Sequence, residues 1–157
     1  MKKLILFLLL TIPLLGLSQS PRKSNTIIIH TVDSEDEAFK KIGRILLNEG
    51  FTLENIDKDF YMLVSNIKTS THGFMNAGKV DTKINIQVDK KEDKTLIKIT
   101  GKFASPQLFQ YTESEFDSQA LQIENIGAKG SPVNAAWLIL VGLAEKYDSG
   151  SIEYLVN

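Results

Sequence analysis

The chain contains no cysteine. That excludes disulfides, thiolate nucleophiles, thiolate-bound metals and a thiol-linked lipid anchor, so packing must hold the fold together. Only two histidines occur, His30 and His72, and no H-x-x-x-H or H-x-H spacing marks a metal site. Neither sign of charge dominates, with 18 Lys and Arg against 19 Asp and Glu. Nucleic acid and an anionic bilayer both attract basic surfaces, so this balance argues against either as a partner. No G-x-S-x-G elbow, phosphate loop or dinucleotide fingerprint is present, and no cofactor is implied. There is no internal repeat, low-complexity tract or linker to divide the chain. Its 157 residues suffice for one domain with a modest core.

Long apolar runs are also missing, apart from one at the start. Leu4–Leu15 is almost continuously apolar, follows Lys2 and Lys3, and precedes the small residues of Gly16-Leu17-Ser18. This is the three-part pattern of a secretory signal peptide with cleavage after Ser18. The run is shorter than the roughly 20 residues a spanning helix needs. Residues 1–19 are therefore expected to be a signal peptide and 20–157 a single α+β domain, exported to the periplasm or the medium and without a stable membrane span. Without Lys2 and Lys3 the 18 basic residues fall to 16 against 19 acidic ones, a net charge near −3.

The best-defined element is Ser34–Phe51. Ser34-Glu35-Asp36-Glu37 has the form of a capping box, in which hydroxyl and carboxylate satisfy two orphan amides reciprocally. Ala38, Phe39, Ile42, Ile45 and Leu46 recur at helical spacing and form one apolar stripe. Gly50-Phe51 reads as a left-handed stop. Thr26–Val32 is β-branched almost throughout and reads as a strand, with Ile27 and Ile29 on one face and Ile28, His30 and Val32 on the other. Thr52–Ile56 reads as a short extended entry, Asp57-Lys58-Asp59 as a bend, Phe60–Lys68 as a strand, and Thr69–Lys79 as a long hairpin loop.

Val80–Asp89 alternates cleanly. Val80, Thr82, Ile84, Ile86 and Val88 face inward, while Asp81, Lys83, Asn85, Gln87 and Asp89 face a wet side. Lys90-Lys91-Glu92-Asp93 breaks it, and Lys94–Phe103 alternates again. Paired around that break, the two strands set Ile86 beside Ile97, Ile84 beside Ile99, Val80 beside Phe103 and Asp81 beside Lys102. Ala104–Gly130 is too long for a structureless loop; the segment is expected to supply a short strand, Ala120–Asn125, or else to form an ordered surface loop. Ser131-Pro132 starts a helix that is apolar nearly all round through Tyr147, so it must be buried or meet a partner. Ile152–Val156 can add to a sheet edge. The expected fold is α+β: an antiparallel sheet of four to five strands with two helices packed on one face, in the order β-α-β-β-β-(β)-α.

The strand, the capped helix ending in Glu49-Gly50-Phe51, the segment with Asp57-Lys58-Asp59 and the hairpin Val80–Phe103 resemble small secreted bacterial domains of unknown function. Some of those are similar to the TATA-binding-protein-like fold, a curved antiparallel sheet with helices on one face. The likeness spans roughly Thr26–Phe103 and rests on pattern. It implies an envelope location and no known catalysis, and it transfers no functional residues.

Candidate chemistry is sparse. Glu113, Glu115 and Asp117 alternate, but they lack the glycine and the Asp/Asn spacing of a calcium loop and read as a solvated face. Gly127-Ala128-Lys129-Gly130-Ser131 reads as an ordinary helix start. Phe74-Met75 and Leu108-Phe109-Tyr111 are apolar groups in segments that should be polar; they either fold back over the core or cap the sheet end, or form an exposed patch that meets an envelope protein, peptide or lipid. No catalytic or metal-binding residue is assigned. The leading reading is a non-enzymatic binding or scaffold module of the cell envelope. The alternatives are a small secreted hydrolase using His72 with Ser70 or Asp81, and a subunit that self-associates through its apolar last helix.

Overall fold

The computed structural model describes residues 20–73, 78–106 and 111–157. The proposed signal peptide, 1–19, lies outside them. The core of the architecture is a long hairpin of β5 (Gly78–Lys91) and β6 (Lys94–Ala104). Shorter strands line both its sides. β3 (Met62–Ser65) and β4 (Lys68–His72) lie end to end along β5, and β2 (Leu53–Asp57) pairs with β3. β1 (Thr26–Thr31) and β7 (Leu121–Gln122) lie end to end along β6, and β8 (Gly150–Leu155) closes the far edge against β1. Every pairing is antiparallel.

The α+β class stands, but the described sheet has eight strands rather than four or five, and three α-helices rather than two. The extra strands come from segments with weak apolar patterning. The strand expected over Phe60–Lys68 is divided into β3 and β4, and the expected loop Thr69–Lys79 is largely strand. At the division the buried Ser65 side chain substitutes for a ladder partner: its Oγ accepts the Ile84 amide at 2.9 Å. The polar run Thr69-Ser70-Thr71 forms a strand because β5 offers an open edge, which no pattern in the run itself discloses. In the long segment 104–130, β7 spans two residues instead of the expected Ala120–Asn125, although Ile123 continues the pairing by donating its amide to the Gly101 carbonyl at 2.9 Å.

The spine hairpin is shifted by two residues from the expected register. Ile86 faces Ile99, Val88 faces Ile97 and Thr82 faces Phe103. Lys90 and Lys91 belong to the strand, and the turn is Glu92-Asp93, with Glu92 in the left-handed region at φ 56°. A two-residue shift preserves which face each side chain occupies, so the inward set is unaffected. Ile84 lies opposite Gly101. A Cβ at Gly101 would stand 2.9 Å from both Ile123 Cδ1 and the Lys83 carbonyl oxygen, so only glycine lets β5 and Ile123 close on this point.

One rung of the sheet shows how the core is built. Leu63, Ile86, Ile99, Ile27 and Tyr154 run across five strands on the same face. Against this face pack α1 (Glu35–Asn48), through Ala38, Phe39, Ile42 and Leu46, and α3 (Pro132–Glu145), through Ala136, Trp137, Leu140, Leu143 and Ala144. The α1 cap forms reciprocally: the Glu37 amide donates to Ser34 Oγ at 3.4 Å and the Ser34 amide to Glu37 Oε2 at 3.1 Å. At its other end Gly50 turns left-handed at φ 77°, and the Phe51 amide reaches back to the Leu46 carbonyl. The Ser131 hydroxyl caps α3 by accepting the Asn134 amide. No helix among the described residues is long and apolar enough to cross a membrane.

Candidate functional site

Among the described residues, the opposite face of the sheet carries no long helix. Its central rung reads Met62, Gln87, Lys98, Ile28 and Glu153, and a neighbouring rung contains Val64, Asn85 and Thr100. This is the wet face that the alternation of β5 predicts. At one end, however, it is covered. From Tyr111 the chain crosses this face as a strap, forming a 3₁₀ turn (Glu113–Glu115), the short helix α2 (Phe116–Gln119) and then β7. A Thr112–Glu115 capping box sets the turn, with Glu115 Oε2 accepting the Thr112 amide at 2.8 Å. Phe116 is fully buried beneath the strap and meets Tyr111 edge to face at 5.9 Å between ring centres.

Charge explains why the strap belongs there. The register of the spine places Lys83 directly opposite Lys102, a repulsive cross-strand pair. Asp117 of the strap resolves it. Its Oδ2 lies 2.9 Å from Lys83 Nζ, its Oδ1 lies 3.4 Å from Lys102 Nζ, and its carbonyl also accepts from Lys102 at 3.2 Å. Glu54 of the edge strand β2 reaches Lys83 from the other side at 2.7 Å. The Lys83 side chain is only 14% exposed. Burial works against its charge, and the carboxylates of Glu54 and Asp117 more than offset that, holding its pKa above the usual lysine value. The same contact with Lys83, seconded by Lys102, holds the Asp117 carboxyl below the usual carboxylate range.

The strap also covers Asp81, which the alternation would leave in water. Its Oδ2 accepts the Tyr111 hydroxyl at 2.5 Å, while among the described residues its Oδ1 has no partner. Burial, then the Asp81 carboxylate, push the Tyr111 phenol well above its ordinary pKa. Between strap and sheet lies an open cleft of about 610 Å³, floored by Lys83, Asp117 and Glu54 and rimmed by Asn66, Ile67 and Thr112–Ser114.

The sequence candidates fall as follows. Phe74, Met75, Leu108 and Phe109 lie outside the described residues. Their flanks, however, meet at one end of the spine: His72 pairs with Gly78, Ser105 Oγ donates to the Lys79 carbonyl at 3.5 Å, and Tyr111 holds Asp81. Ser70 and His72 share the helix-bearing face, since Ser70 stands opposite the core residue Val80, whereas Asp81 stands opposite Thr69 on the other face. The sheet therefore separates Asp81 from His72 and Ser70. The His72 ring lies over Gly78, where a Cβ would come within 2.5 Å of it, and neither of its nitrogens has a partner among the described residues. His30 lies on the open face, its Nε2 2.7 Å from Glu153 Oε2. Glu113, Glu115 and Asp117 do not share one side as a strand would arrange them: Glu115 caps a turn and Asp117 bridges two lysines. No cluster of three or more His, Asp or Glu suited to a metal exists among the described residues.

Lys83, Lys102, Glu54 and Phe116 were not legible as a site. The one available signal is Thr112-x-x-Glu115, which announces a helical turn. What the fold and cleft define is an α+β domain whose antiparallel sheet is covered by helices on one face and strapped over a polar cleft on the other. No protein-family model matches this sequence, and no curated protein matches it as a relative.

The ion pairs make a pH prediction. A carboxyl whose folded pKa is lowered stabilises the fold above its unfolded pKa, and that contribution is lost as pH falls through the folded value. For Lys83, raised when folded, the contribution is full below the ordinary lysine pKa and disappears as pH rises through the higher folded value. The urea midpoint should therefore fall at both extremes, and Asp117→Asn should flatten both limbs. Parallel midpoint–pH curves for variant and wild type would contradict the bridging role.

Proposed function

We propose that the protein is an exported, non-enzymatic binding or scaffold module of the bacterial cell envelope, which engages an envelope protein or peptide at the strapped end of the face opposite its two long helices. The observation that carries this reading is the cleft over Lys83. Its floor charges are already satisfied by one another, and its rim of Asn66, Thr112, Glu113 and Ser114 presents donors and acceptors to an incoming backbone or polar side chain. The two segments bearing Phe74, Met75, Leu108 and Phe109 spring from the same end of the sheet, and aromatic residues and methionine are the types enriched at protein interfaces. Export is supported by the sequence pattern of residues 1–19.

Photocrosslinkers placed singly at Phe74, Phe109 and Ser114, with Lys40 on α1 as control, test this in cells that export the protein. The expected result is one shared adduct from the three site positions, absent from Lys40 and suppressed by excess unlabelled protein. Adducts of equal intensity from Lys40, or none from any site position, would remove the reading.

A further inference from the structure

The two edges of the sheet are unlike. β2 is broken by a register shift between Leu53 and Asn55 and carries Glu54 and Asp57, features that blunt an edge against pairing. β8 pairs with β1 over six continuous residues, Gly150 to Leu155, without a bulge, proline or lysine. Its one charged residue, Glu153, is held on the face opposite the two long helices by His30. Such an edge presents a row of backbone donors and acceptors ready for another strand.

Beside this edge, on the helix-bearing side, runs a groove of about 700 Å³. Its wall is apolar: Trp137, Leu138 and Val141 of α3 and Tyr154 of β8. Leu138 is 58% exposed there. The two ends of the groove differ in charge. Near the start of α3 stand Arg22 and Lys129, with the Arg22 guanidinium packed over Gly127. At the last residue of α3 stands Glu145. Among the described residues none of these three forms an ion pair. A two-fold axis through the groove reverses it, bringing the cations of one copy to the carboxylate of the other and setting β8 antiparallel to its counterpart. That is the self-complementarity an isologous interface requires.

We infer that the protein forms a symmetric dimer in which β8 pairs with β8 of a second copy and the α3 grooves close on each other, with Arg22 and Lys129 opposite Glu145. The surface lies apart from the cleft over Lys83 and leaves it free.

Sedimentation equilibrium of the protein exported from its full reading frame tests this, with mass spectrometry to fix its first residue. The expected mass is that of two chains. Leu138→Glu should weaken dimerisation about tenfold or more, since each 1.4 kcal/mol is tenfold and two unpaired charges would be buried. Glu145→Lys and Lys129→Glu should each weaken it, and the double variant should recover a tighter dimer than either single. Circular dichroism and the urea midpoint, measured with every variant monomeric, separate interface loss from misfolding. A monomer at every concentration overturns the inference, as does a dimer indifferent to all three positions or a double variant no tighter than the singles.

Discussion

Phe116→Ala should cost about 3–5 kcal/mol of unfolding free energy, the range for removing a fully buried phenylalanine. The size of that loss follows from where the ring sits. Phe116 is not part of the main core between sheet and helices; it anchors a second, smaller core on the other face, with Tyr111 against its edge. Its removal should therefore act on the whole strap. Tyr111 would lose its packing, the Asp81 carboxylate would lose a dry hydroxyl donor, and Asp117 would be less firmly held between Lys83 and Lys102. Urea unfolding followed by circular dichroism gives the magnitude. Hydrogen exchange gives the location: protection should drop first over residues 111–119 and along Lys79–Lys83, while α1 keeps its protection until global unfolding. A loss below about 0.5 kcal/mol, the level of an ordinary surface change, would mean that the strap does not pack on the sheet as described.

Trp137→Ala should be comparably severe, about 3–5 kcal/mol. Trp137 is 2% exposed and is the only tryptophan. It joins three elements: it lies in α3, stacks obliquely on Tyr154 of β8 at 5.9 Å, and donates its indole N–H to Ser20 Oγ at 3.1 Å. The buried Asn125 amide holds the same segment through the Ser20 and Pro21 carbonyls. Trp137→Phe separates the contributions. It keeps most of the apolar contact and loses the hydrogen bond, so it should cost clearly less than the alanine variant, with about 1 kcal/mol from the bond itself. Circular dichroism must follow both variants, because the fluorescent reporter is gone. Equal losses for Phe and Ala would show that the ring's packing on Tyr154 contributes nothing.

These two side chains mark the boundary of what could be read in advance. Trp137 belongs to a helix whose start, Ser131-Pro132, and whose apolar content were both legible, and its burial follows from them. Phe116 stands among Glu113, Glu115 and Asp117, and nothing in a run of acids announces a buried ring. The candidate loops divide the same way. Tyr111 reads from the sequence as an unusual aromatic, but the alternation of β5 puts its partner Asp81 in water. Alternation reports which face a residue occupies, and a distant segment decides whether that face is wet.

Local chemistry determined the elements whose signals lie within a few residues: the reciprocal cap of α1, its glycine stop, the proline-led start of α3, and the inward set of the spine from Val80 to Val88. Each depends on short-range hydrogen bonding or on the period of a single segment, and both are written in the chain. Tertiary structure alone decided the hairpin register, the strand made from Thr69-Ser70-Thr71, the burial of Asp81 and Phe116, and the bridging of Lys83 to Lys102 by Asp117. A two-residue slip leaves the apolar pattern intact, so periodicity cannot distinguish the registers. The choice was made by contacts between segments far apart in the chain, and their energies exist only once the chain has closed on itself.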